Sequence, residues 1–309
     1  MPRKSLNPDQ HPFFKFEQFH IALGEVSNRT LNYSTSGRGR DRYTLPELGL
    51  LWRSAAAGSA ANAEVRFELA TAFESLLAQD GWLEPPYPTL VTLCPAGFDH
   101  LISEPEDGRG GQLANWAARV FADLDALFVI EPAFYLKWPP GHLSRSADGT
   151  VLWHVHALVW DLGPLKLRSL LQSRLSKHEA VLPNGRLLGL ARSTPEIVLP
   201  RLRYLLKLPR RQHRWFMPSV ECLDSETGEI TRRPTGQILF RKEAIRSRPL
   251  QLLLASLARY KIGTLVRASG GLSEVRSQAF ALTHKEVMAT VRKHTLSAAE
   301  LTKSLPITF

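Results

Sequence analysis

Two histidines one residue apart, His154 and His156, carry the first chemistry legible in this chain. They lie in V-L-W-H-V-H-A-L-V-W, residues 151–160, which has β-branched and aromatic residues, no Gly or Pro, and a strict two-residue alternation. Side chains on a strand point to opposite faces in turn. Val151, Trp153, Val155, Ala157 and Val159 then form an apolar stripe fit for a core, while Leu152, His154, His156, Leu158 and Trp160 share the other face. Residues two apart on a strand are roughly 6.6 Å apart. Two imidazoles at that spacing can converge on one ion with metal–nitrogen bonds of about 2.1 Å. A bare His-x-His is also what a pair of hydrogen-bonded sheet histidines looks like, and the motif alone serves both readings.

The rest of the composition narrows the chemistry. Lys and Arg outnumber Asp and Glu by 39 to 29 over 309 residues, a net charge of +10. Such a surplus favours a polyanionic partner, most often nucleic acid, although a generically basic protein has the same balance. Cys94 and Cys222 are too few for a disulfide framework or a zinc knuckle. With no apolar leader after Met-Pro-Arg-Lys-Ser and no run of about 18 apolar residues, the expectation is a cytoplasmic protein without a membrane span. The absence of a G-x-x-x-x-G-K-[ST] loop argues against an ATPase or helicase domain.

The histidine strand needs neighbours to position it. Periodicity predicts a helix over 60–79 and a short apolar strand, T-L-V-T-L-C, over 89–94. A helix follows over 112–127, then a strand over 128–138 in which Pro132 implies a bend, a bulge or an edge. After a long connection over 139–149 and the histidine strand come a basic helix over 165–177 and a strand over 185–191. The Ser193-Thr194-Pro195-Glu196 start signal opens a helix running to Lys207, which Pro200 should kink or restart. Beyond His213 the signal weakens, with helices expected over 250–260 and 283–294. This order predicts an α+β fold: a mainly antiparallel central sheet with helices packed on one face. The S-T-S-G-R-G-R-D-R stretch within 31–43 reads as a mobile basic loop.

The apolar Thr-Leu-Val-Thr-Leu strand, the His-Val-His strand and a basic helix with Tyr204 and Lys207 stand in an order that resembles the HUH endonucleases, in particular rolling-circle replication initiators. Their motifs are a Thr-Leu-Thr strand, His-hydrophobic-His and a helix with Y-x-x-K. The resemblance covers residues 88–211. It implies an HUH/RRM-like nuclease core over 87–217, flanked by helical accessory regions over 1–86 and 218–309, the latter a candidate DNA-binding part. Cupins, histidine-triad hydrolases and amidohydrolases also use His-x-His, but the histidine triad needs a third histidine where Leu158 stands, and none of these accounts for Tyr204.

The resemblance implies a divalent ion, Mg or Mn, held by His154, His156 and an acid, with Tyr204 attacking a phosphate of single-stranded DNA at an origin or hairpin. The products are a 5′-phosphotyrosyl enzyme and a free 3′-OH. Lys207 would stabilise the phenolate or bind the phosphate. Glu131, on the histidine parity of the preceding strand, is the expected third ligand, with His100 as second choice and Tyr135 as fallback nucleophile. Arg201, Arg203, Arg210, Arg211 and Arg214, followed by Trp215 and Phe216, have the composition of a single-strand groove. Each has an ordinary alternative: a tyrosine packing on the sheet, an exposed strand glutamate, a solvated helix face. A host helicase and polymerase are the further partners implied, and a transposase or relaxase built on the same site is the close variant.

Overall fold

The computed structural model describes residues 59–304, apart from 103, 105, 137–148, 161, 182–185, 217, 224–228 and 236–238. The expected loop over 31–43 and nearly all of the connection over 139–149 lie outside the described residues. In chain order the elements are α1 (Ala63–Gln79), β1 (Thr89–Leu93), β2 (Asp99–Leu101), α2 (Arg109–Val120), β3 (Ala126–Leu136) and β4 (Thr150–Val159). Next come α3 (Pro164–Arg174), β5 (Leu188–Arg192), α4 (Pro195–Leu206), β6 (Arg211–Phe216), β7 (Ser219–Leu223) and β8 (Ile230–Pro234). The series ends with β9 (Leu239–Ala244), α5 (Ser247–Ala258), α6 (Ile262–Leu265), β10 (Val266–Ser269) and α7 (Leu272–Ser304).

The fold is α+β with a curled, mixed sheet in the order β5–β1–β4–β3–β6–β9; β2 adds to β4 and β10 to β3. The β3–β6 pairing is parallel, and the other strand pairs are antiparallel. Strands β7 and β8 form a separate hairpin.

Every residue of β4 is buried, so both of its faces are covered. On the Trp153 face lies α2, at such close range that a Cβ on Gly110 would meet the Trp153 ring at 3.0 Å. The histidine face is covered by α4, where the Tyr204 and His156 rings are 5.0 Å apart. Helices on a single face is thus too simple a description. Leu152, Leu158 and Trp160 share the histidine face and need burial as much as the opposite stripe does. Leu152 finds it beside Tyr135 and Val181, and Trp160 beside Trp82, whose carbonyl accepts its indole N–H at 2.8 Å.

Proline positions explain two local departures. Pro132 sits inside a central strand, but on the flank away from β4 the ladder is interrupted there. Strand β10 pairs with residues 126–129 and β6 with residues 134–136, so the missing N–H of Pro132 falls in the gap between them. Pro200 does not restart its helix, which is continuous from Pro195 to Leu206. The helix expected to reach Leu127 stops at Val120; Asp123 adopts φ 65° and Ala126 already belongs to β3. Two flanking segments also join the core. Strands β9 and β10, both beyond residue 217, extend the main sheet, and α1 packs against α4 and α7. Among the described residues, no helix is long and apolar enough to cross a membrane.

Candidate metal centre

Antiparallel pairing sets Glu131 of β3 opposite His154 of β4, and Val129 opposite His156. One carboxylate and two imidazoles therefore rise from the same face. Glu131 Oε1 lies 3.0 Å from His154 Nε2 and 3.2 Å from His156 Nε2, and the two Nε2 atoms are 3.1 Å apart. An ion with bonds of about 2.1 Å has adjacent donors roughly 3.0 Å apart in an octahedral shell and roughly 3.4 Å apart in a tetrahedral one. The observed separations match that range. All three residues are buried, and imidazole with carboxylate is a donor set for a first-row divalent ion. Glu131, His154 and His156 could hold a metal ion.

The neighbouring strand orients one ligand. Thr92 of β1 stands opposite His156, its hydroxyl 3.0 Å from His156 Nδ1. An Nδ1–H donated to that oxygen leaves the Nε2 lone pair facing the other two donors. The apolar Thr-Leu-Val-Thr-Leu strand thus contributes a polar contact that its composition did not reveal. Parity put Thr92 on one face of β1, but its register against His156 is a tertiary fact.

Helix α4 brings the next two groups. The Tyr204 hydroxyl is 3.4 Å from His156 Nε2. Lys207 donates its ammonium to both oxygens of Glu131 and lies 3.8 Å over the Tyr204 ring. The helix expected to run to Lys207 stops one residue short: α4 ends at Leu206 and Lys207 is extended, at φ −62° and ψ 156°. Pro209 disfavours helical geometry at Leu208, so the chain leaves the helix and the lysine reaches back. Arg66, from the region expected to be accessory, fixes this exit: Nη1 donates to the carbonyls of Leu206 at 3.1 Å and Lys207 at 3.0 Å, and Nε to Ala60 at 2.6 Å.

Charge in the centre is unbalanced toward the positive. Burial opposes ionisation of Glu131, but Lys207 and then His156 outweigh it and hold the carboxyl well below the usual range. Burial drives His156 down to about 4, against the pull of Glu131, so its ring is neutral and available as a ligand near pH 7. Burial also lowers the Lys207 ammonium and brings Arg66 down to about 10, with Glu131 opposing both. The buried Arg66 and the half-buried Lys207 thus both lie in the field of one carboxylate. The Tyr204 phenol is raised, by burial first and by Glu131 second.

The remaining expected site residues are scattered. Arg203 is buried and forms a two-pronged pair with Glu74 of α1, at 2.6 and 2.8 Å, so it faces the fold and not a groove. Arg201 donates to the Ala191 carbonyl at 2.8 Å and to Ser193 Oγ at 2.7 Å, fastening α4 to β5. Arg211 is exposed, and Arg210 and Arg214 are partly so. His100 stands opposite Val151 on β2, hence on the face away from Glu131, and does not join the ligand cluster. Tyr135 shares the face of Glu131, but its buried ring stacks on His213, with centroids 4.5 Å apart at 21°. The chain matches no family model, no curated protein and no solved structure.

Proposed function

We propose that this chain is a metal-dependent nuclease of the HUH type, which nicks and rejoins single-stranded DNA through Tyr204 in the manner of a rolling-circle replication initiator. One observation carries the reading: a tyrosine hydroxyl 3.4 Å from a nitrogen of a buried two-histidine, one-carboxylate cluster. The antiparallel β1–β4–β3 unit with α4 laid over its histidine face supports an HUH/RRM-like core. Around the centre, Arg66 and Lys207 outnumber the one carboxylate, Glu131, which supports an anionic substrate, and a phosphodiester supplies negative charge.

A bound Mg or Mn ion would polarise the scissile phosphate and help neutralise charge developing on it. The chain's own residues do the rest. Glu131, His154 and His156 are the ligands, and Thr92 holds the His156 ring. Tyr204 attacks phosphorus; its O–P bond forms as the bond to the 3′-oxygen breaks. The phenol loses a proton and the leaving 3′-oxygen gains one, so the exchange is balanced. Rejoining is the reverse, with a 3′-OH attacking the phosphotyrosine. Because burial raises the Tyr204 phenol, loss of its proton depends on nearby positive charge, and Lys207 over the ring provides some of it.

The test is incubation with labelled single-stranded DNA and Mn²⁺, followed by a denaturing gel. The unaltered chain should give an SDS-resistant protein–DNA band, whereas Tyr204→Phe and His154→Ala should not. An undiminished band from Tyr204→Phe would overturn the reading. DNA binding with no band from any origin-like sequence would leave a binding protein on this fold.

A further inference from the structure

The β7–β8 hairpin is the part of the chain that its own fold leaves uncovered. Among the described residues its two strands pair only with each other, and residues 219–221 and 229–232 are exposed throughout. Ile230 is 68% exposed and Val220 50%, a large apolar surface for so short an element. An isolated two-stranded hairpin is at best marginally stable in water. Its outer edges carry unpaired N–H and C=O groups, a template for a further strand.

Charge distinguishes the possible partners. Strands β7 and β8 with the adjoining Glu229 carry Glu221 and Glu229 against Arg232 and Arg233, a neutral set within a chain of net charge +10. The hairpin therefore lacks the cationic surplus that a polyanion would need, and an apolar, charge-balanced edge suits another protein strand.

The free edge of β8 is complementary to itself. Two copies related by a twofold axis through Thr231 pair antiparallel, with Ile230 opposite Arg232 of the second copy and Glu229 opposite Arg233 of the second copy. Residues directly opposite share a face, so the twofold creates two acid–base pairs and sets an arginine stem over each exposed Ile230. Other centres fail. Arg232 at the centre would face its own like charge, and Ile230 at the centre would set Arg232 beyond the end of the opposing strand. On β7 the central residue is Glu221, which would also face itself. Pro234, lacking an N–H, closes the far end of the edge. Within one chain Glu229 and Arg233 stand roughly 13 Å apart along the strand, so they can pair only between copies.

We propose that the edge of β8 is a self-association site, at which a second copy of this chain adds its own β8 to join the two hairpins into one sheet. The inference does not rest on the nuclease reading. So short an edge buries far less than the roughly 1,200 Å² of a stable interface, so the association is concentration-dependent.

The experiment is sedimentation velocity of the full chain, free of nucleic acid, from dilute to near-millimolar protein. The unaltered chain should pass from monomer to dimer as concentration rises. Glu229→Arg and Arg233→Glu each set two like-charged pairs across the twofold, and each should weaken self-association at least about tenfold. The combined variant Glu229→Arg/Arg233→Glu should recover it. An equimolar mixture of the two single variants should recover it too, since every acid there again meets a base, and a chain that merely failed to fold would not be rescued in this way. A protein that stays monomeric throughout, a dimer indifferent to the single reversals, or a mixture that stays monomeric overturns the proposal.

Discussion

Lys207 and a divalent ion are drawn to the same carboxylate. The ammonium bonds both oxygens of Glu131, one of which is also 3.0 Å from His154 Nε2. An ion bound there must share Glu131 with the lysine or displace it, and two cations a few ångströms apart repel strongly in a buried site. Lys207→Gln is therefore expected to bind Mn²⁺ at least about tenfold more tightly by calorimetry, even as its nicking falls. Equal or weaker binding would show that the ammonium does not stand in the ion's way. Thr92→Val has the opposite sign. It removes the oxygen that holds His156 Nδ1, and loss of such an outer partner weakens metal binding by about 10- to 100-fold. An unchanged affinity would mean that packing alone orients the ring.

Helix α1 acts on the site through α4. Arg66 takes the last carbonyls of α4, Glu74 pairs with Arg203, and both contacts are buried or nearly so. Arg66→Met leaves three carbonyls without a donor, so unfolding in urea should show a loss of roughly 3 kcal/mol or more. A loss below about 0.5 kcal/mol would mean that water replaces the guanidinium without cost. These contacts show why elements were only partly legible. The histidine strand and the helix at Pro195 announced themselves by alternation and by a start signal, both local properties. Strands β6, β9 and β10 did not, because polar and basic strands are defined by their pairing partners far along the chain. The arginines near Tyr204 were visible as composition. Their separation into internal braces, Arg201 and Arg203, and exposed groups such as Arg211 required the packing of α4.

At the scale of the whole molecule, burial of titrating groups should make the metal-free protein sensitive to acid. His156 is depressed to about 4 and His213 to about 3, both chiefly by burial. An unfolded histidine titrates near 6.5. Between those values the unfolded chain binds more protons, so stability is fully present above about pH 6.5 and is lost as pH falls toward 4 and then 3. Glu131, also depressed, adds a loss in the same direction below about pH 4.5. The urea midpoint should drop steadily between about pH 6.5 and 4; a constant midpoint across that interval would contradict the burial of these rings. Strand parity, a local rule, was enough to set Glu131, His154 and His156 on one face. It could not foretell that the sheet would be covered on both faces, since that depends on how α2 and α4 dock.

The most direct test of the central claim is peptide mass spectrometry of the protein after reaction with single-stranded DNA and Mn²⁺. A nucleotide attached through phosphate to Tyr204, and absent without the ion, is the predicted result. Attachment at Tyr135, at any other residue, or at Tyr204 with the ion removed would contradict it.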